Sequence, residues 1–246
     1  MPRPRVSLFA LFFPFLLVLM PAANAMTVTP TEIEMKSTGR TSRSAITVVN
    51  NGDRELAVEL IAKKAILNED GAPKTSPAGD VFLIMPPQAL IPPGATQNFR
   101  IQWLGEPLLN KSETYFVYVN QIPVKLPKRI RGVQLVFGMG VMINVAPPRG
   151  VPDLQVVNNG VVTDRHGARH PTITVLNPTN VHALFPQATV RLSSGGWSET
   201  LSSGKLAQTI GIGLVQPEHR RRFVLPVTLP PGVTSVQSSI EFRPKP

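Results

Sequence analysis

The chain runs to 246 residues, enough for one large or two mid-sized domains at roughly 100–200 residues each. It contains no cysteine, which excludes disulfide frameworks, Cys-ligated zinc, iron–sulfur clusters and thiol catalysis. Proline accounts for 26 residues, about twice the usual share of roughly 5%, and argues against long helices; the formal charge is +10.

At the N-terminus Arg3 and Arg5 precede an apolar run from Val6 to Met20, and Pro21-Ala22-Ala23-Asn24-Ala25 follows. A charged head, an apolar middle and a small-x-small end lay out a secretory signal peptide over residues 1–25. The run falls short of the roughly 20 residues a span requires, and Pro14 interrupts it. The expected product is an exported chain starting at Met26, with no integral membrane segment after cleavage and the bacterial periplasm as its compartment.

Beyond Met26 the hydrophobic period is two. Ser44 to Val49 alternates and ends in the turn Asn50-Asn51-Gly52-Asp53; Leu56 to Ala62 follows, and Asn68-Glu69-Asp70-Gly71 forms a second turn. Phe82 to Met85, Leu90-Ile91, Phe99 to Leu104 and Tyr115 to Ile122 read as further strands. Later come Thr172 to Leu176, Ala188 to Leu192, Arg222 to Val227 and Ser238 to Phe242. Short strands separated by turn chemistry indicate an all-β chain of immunoglobulin-like β-sandwiches. No window holds a 3.6-residue apolar period, so little helix is expected. Ala146 to Pro152 packs three prolines and a glycine into seven residues, which cannot continue a strand ladder and suits a domain elbow. The expected domains are 26–147 and 151–246.

No catalytic constellation emerges. His166 and His170 are four residues apart, but Gly167, Pro171 and the neighbouring Arg165 and Arg169 describe a polar loop, not a metal-binding helix face. No Gly-x-Ser-x-Gly elbow or phosphate-cradling loop is present, so neither an enzyme nor a metal or other cofactor is expected. The basic clusters Lys125/Lys128/Arg129/Arg131 and His219-Arg220-Arg221-Arg222 lack interleaved aromatics, and a nucleic-acid partner is not expected.

The segment Gly132 to Pro148 carries no charge in seventeen residues. Val133, Leu135, Phe137, Met139, Val141, Ile143 and Val145 occupy every second position. At roughly 3.3 Å per residue this is about 45 Å of strand, more than a small sandwich covers. It reads either as a long core strand or as an edge strand that offers its apolar row to another chain by β-strand addition. Unshielded edges are normally blunted, so a retained one is expected to be used.

Several local patterns resemble the periplasmic pilus-assembly chaperones of the chaperone–usher pathway. They are Pro86-Pro87 with Leu90-Ile91-Pro92-Pro93-Gly94 and Gln97-Asn98-Phe99-Arg100-Ile101, the strand Glu113 to Pro123 ending in Ile122-Pro123, and Asn177-Pro178-Thr179. The resemblance spans nearly all of 26–246 and implies two immunoglobulin-like domains at an angle. It implies that Val133, Leu135, Phe137, Met139, Val141 and Ile143 are lent to a pilus or fimbrial subunit, which the chaperone presents to an outer-membrane usher without any nucleotide. A self-capping dimer is the other way to cover such an edge. A secreted structural or adhesive protein that polymerises by strand addition is the alternative reading, disfavoured because the segment lies far from the mature N-terminus.

The resemblance also has gaps. Family members hold the subunit's terminal carboxylate with an Arg after the Pro-Thr of the first strand and a Lys near the end of the donor strand. Here Pro30-Thr31 is followed by Glu32, and Met142 stands at the second position. The Glu113 to Pro123 segment is offset by one residue from the family spacing. Arg100 and Lys36 are the substitute anchor candidates.

Overall fold

The computed structural model describes residues 26–123 and 136–244. The leader, the Lys125 to Arg131 cluster, Val133 and Leu135 lie outside the described residues. Two β-sandwiches follow one another along the chain. The first contains β1 (Met26–Thr29), β2 (Glu32–Lys36), β3 (Arg43–Asn50), β4 (Leu56–Leu67), β5 (Pro73–Pro77), β6 (Phe82–Met85), β7 (Gln88–Ile91), β8 (Thr96–Trp103), β9 (Glu113–Gln121) and β10 (Gly138–Ala146). One sheet runs β1-β3-β8-β6; the other runs β2-β10-β9-β4-β5, with β7 also paired to β4.

Alternation builds these sheets. Along β3 and β8, Ile46, Val48, Phe99, Ile101 and Trp103 turn inward, while the residues between them face outward. They meet Ile33, Met35, Val58, Leu60, Tyr115, Val117, Val119, Val141, Ile143 and Val145 from the other sheet in one core. Phe82 packs edge-on against Trp103 and Tyr115 at 5.3 and 5.0 Å.

The second sandwich comprises β11 (Gln155–Thr163), β12 (Arg169–Leu176), β13 (Ala183–Leu184), β14 (Ala188–Ser194), β15 (Trp197–Leu201), β16 (Leu214–Val215), β17 (Arg220–Val224) and β18 (Gln237–Phe242). Its sheets are β11-β12-β17 and β15-β14-β18, with the short pair β13-β16. Its core, built on Ile173, Val175, Phe185, Val190, Leu192, Leu206 and Phe223, is separate from that of the first sandwich. Phe185 and Phe223 stack at 4.4 Å.

Helix is sparse, as expected: among the described residues, α1 (Ser203–Ile210) follows β15. Ser202 caps it by accepting from the Lys205 N–H, and Gly211 closes it at φ 72°. Ser202-Ser203-Gly204 is therefore a helix start, and Leu206 seats the helix on the core. His166 lies in the loop from β11 to β12, and His170 on β12. Asp164 Oδ1 accepts from the His166 and Ala168 N–H groups at 2.8 and 2.9 Å, and His170 Nδ1 lies 2.9 Å from the Val227 carbonyl. Among the described residues no helix is long and apolar enough to cross a membrane.

Candidate functional site

β10 is paired on both edges for only part of its length. On one side it runs antiparallel to β9 from Gly138↔Asn120 to Val145↔Glu113. On the other, β2 pairs with it in parallel from Met142↔Glu32 to Ala146↔Lys36, and the Met142 N–H donates to the Thr31 carbonyl at 3.0 Å. From Gly138 to Val141 that second edge has no strand partner among the described residues. Unpaired backbone groups in such a row are a template for another strand.

Burial divides the apolar row at this boundary. Phe137 and Met139 are 51% and 36% exposed, whereas Val141 and Ile143 are 1% and 0% exposed and belong to the chain's own core. The six residues of the alternating row are thus not equivalent. Val141 and Ile143 already have partners inside the sandwich, and only Phe137 and Met139, among those described, stand free of it.

The opposite face of β10 looks into the space between the sandwiches. Gly140 has no side chain, and the Tyr118 and Phe116 rings of β9 lie beside it, 3.3 and 3.5 Å from where a Cβ would stand. The two rings are 5.9 Å apart, and Lys63 lies 5.7 Å from the Tyr118 ring centre. Met142, Leu67 and Leu214 form a small apolar cluster that joins the two sandwiches.

Around that cluster a polar circuit starts on β9, at Thr114, and ends just before it, at Ser112. The Thr114 hydroxyl donates to Asn144 Oδ1 (2.9 Å), Asn144 Nδ2 donates to Glu34 Oε1 (2.7 Å), and His182 Nε2–H donates to Glu34 Oε2 (2.6 Å). Ser112 Oγ accepts from the His182 N–H at 3.0 Å and lies 3.0 Å from its ring Nδ1. The loop carrying His182 is set by Asn177, fully buried. Its amide donates to the Val181 and Val215 carbonyls at 2.7 and 3.1 Å and accepts from the Thr179 N–H at 3.0 Å. The Asn177-Pro178-Thr179 pattern is therefore a scaffold for the interdomain contact.

Glu32 stands where β2 begins, on the same strand face as Glu34 and Lys36. Its Oε1 is buried and has no hydrogen-bond partner among the described residues. Burial and the neighbouring Glu34 charge push its pKa up to about 7, with His182 pulling the other way. Of the two sequence-derived anchor candidates, Lys36 is exposed on this same face of β2. Arg100 is exposed on β8, in the other sheet, beside the buried Phe99 and Ile101 that point inward. The fold does not bring Arg100 and Lys36 together. Glu34, Asn144, Ser112 and His182 escaped the sequence reading. The signals available were Asn144 as a polar interruption in an apolar alternation and the Glu-Ile-Glu alternation of β2.

The family model described as pili and flagellar-assembly chaperone, PapD N-terminal domain, matches residues 25–149. The fold is similar to that of a chain in the structure of the Salmonella enterica SafA pilin in complex with the SafB chaperone. The TM-score is 0.55 at 15% identity, covering 91% of this chain and 99% of that one. It is similar also to the class 5 fimbriae chaperone CfaA, at TM-score 0.53 and 13% identity, over 89% and 100% of the two chains. A chain of the chaperone–tip adhesin complex of CFA/I fimbriae biogenesis aligns at TM-score 0.52 and 13% identity, over 88% and 97%. A search of curated proteins returned no match.

Proposed function

The chain belongs to the family of pili and flagellar-assembly chaperones, and on that premise we propose that it captures pilus or fimbrial subunits in the periplasm by lending them a strand. The observation that carries this reading is the edge of β10 from Gly138 to Val141, unpaired among the described residues, beside the exposed Phe137 and Met139. Backbone groups of the edge supply affinity, and the alternate side chains supply specificity. The donated row extends N-terminally through Leu135 and Val133 on sequence grounds and ends at Met139, because Val141 and Ile143 are already in the core. Each apolar side chain buried in a subunit contributes roughly 1.5–3 kcal/mol before ordering costs. The donor strand closes an N-terminal domain over 26–147, with a C-terminal domain over 151–246. The leader at residues 1–25 supports export, and delivery of the completed subunit to an outer-membrane usher follows from the family. A second copy pairing on the same edge caps it when no subunit is bound.

Affinity isolation of the tagged chain from its periplasm, with mass spectrometry, tests the proposal. A stoichiometric β-rich subunit, lost in Phe137→Asp, is expected. A lone monomer, or a partner indifferent to Phe137→Asp, overturns it.

A further inference from the structure

A strand added to the free edge of β10 cannot run past Val141, because from Met142 onward that edge is taken by β2. Its near end therefore abuts Thr31 and Glu32. The side chain waiting there is a carboxylate whose Oε1 is buried without a partner among the described residues. Its neighbours do not supply one. Glu34 is itself an acceptor, its two oxygens taking hydrogen bonds from Asn144 and His182. Met142, directly opposite Glu32 on β10, is apolar. The other charged groups facing this point are Glu34 and Lys36 on β2 itself and His182 from the second sandwich.

Resting on the strand-lending reading, we propose that Glu32 selects partner strands that bring a Lys or Arg side chain to their cleft end, a cation where this chain offers the anion. A terminal carboxylate placed there meets Glu32 as a like charge. A cation gives the buried oxygen a charge-assisted hydrogen bond and relieves the cost of its desolvation. The raised pKa of Glu32, about 7, reflects that uncompensated burial. Cation binding requires the ionised form, so affinity for a cationic end rises with pH across neutrality.

The test uses synthetic eleven-residue alternating Val/Thr peptides, amidated and labelled at the far end, that differ only in a Lys, Met or Glu at the cleft end. Their binding to the full chain is followed by fluorescence anisotropy at pH 6 and pH 8. The Lys peptide is expected to bind about tenfold more tightly than the Met peptide at pH 8. That preference shrinks at pH 6 and disappears in Glu32→Gln. Equal binding of the Lys and Met peptides overturns the inference. So does a preference for the Glu peptide at pH 6, the signature of a protonated Glu32 donating to a carboxylate. Phe137→Asp separates the two levels. If all peptides bind, lose affinity in Phe137→Asp and ignore Glu32→Gln, strand lending stands and the Glu32 inference falls. If none binds, or Phe137→Asp changes nothing, strand lending falls and takes the inference with it.

Discussion

His182 Nε2 lies 2.6 Å from Glu34 Oε2, joining the second sandwich to the first strand of the cleft. The imidazole is 6% exposed, so its loss leaves the buried Ser112 hydroxyl without its ring partner, while Glu34, 47% exposed, is left to water on one oxygen. His182→Ala is expected to cost about 2 kcal/mol in urea unfolding. Glu34→Gln keeps only one acceptor oxygen, so its amide N–H2 must face either Asn144 Nδ2 or the His182 Nε2–H, and a comparable cost is expected.

Along β10 the boundary between Met139 and Val141 predicts a sharp change in mutational cost. Phe137→Asp and Met139→Asp fall on exposed side chains and should leave unfolding within about 0.5 kcal/mol of the parent. Val141→Asp and Ile143→Asp bury an unpaired carboxylate and should cost about 3–5 kcal/mol, enough to unfold a marginal domain. Chemical denaturation of the four variants reads this directly. Equal, large losses at Phe137 and Val141 would mean that the whole row is ordinary core.

Most of the strands were legible because one face is buried and the other wet. β3, β8, β9, β12 and β14 were read from alternation to within a few residues. β11 was not, because Asn158-Asn159-Gly160 looks like a turn, whereas its exposed strand tolerates these residues. β2 alternates over only five residues, and its parallel pairing to β10 is a tertiary choice that no local pattern announces. The donor row was legible as a row, but not its division at Val141, which depends on where β2 starts. The polar circuit was out of reach for the same reason: Thr114, Asn144, Glu34 and His182 are far apart in sequence and meet only through the register of three strands and a loop from the second sandwich.

Glu32 makes stability depend on pH with a definite sign. Its folded pKa of about 7 lies above the ordinary 4.5, so between those values the native state holds more protons than the unfolded state. The contribution of this group is therefore fully present below about pH 4.5, declines as pH rises through about 7, and is flat above it. Glu32→Gln removes the dependence. Allowing for the partial exposure of the side chain, the variant should gain roughly 1 kcal/mol at pH 8, about 4 °C in Tm for a domain of this size. At pH 5 variant and parent should nearly coincide. Thermal scans at both pH values check it, and a variant less stable at pH 8 would refute the assignment.

Gln216 ties the second sandwich to β4. Its Oε1 accepts from the Leu67 N–H at 2.8 Å, and its Nε2 donates to the Ala65 carbonyl at 2.9 Å, so one amide completes two backbone groups. Gln216→Ala leaves both unsatisfied in a buried position, at a cost on the order of 2 kcal/mol. Amide hydrogen exchange at Leu67 should accelerate roughly thirtyfold, while exchange deep in β3 and β8 stays unchanged, because the opening is local to the interface.

The turn after β4 also leans on the second sandwich, through Gly71. It sits at φ +89°, and a Cβ there would stand 2.2 Å from Arg221 Nη2 and 2.6 Å from Cζ. Arg221 cannot move aside without loss: its Nη1 donates to the Leu214 carbonyl at 3.1 Å, and the guanidinium carbon lies 5.1 Å from the centre of the Phe223 ring. Gly71→Ala therefore combines backbone strain with a displaced arginine and should destabilise by about 2–3 kcal/mol. In an Arg221→Ala background the steric part vanishes and only the strain of the left-handed backbone remains, about 1 kcal/mol. A double-mutant cycle on the two positions measures the difference; strictly additive effects would show that the turn and Arg221 do not press on each other.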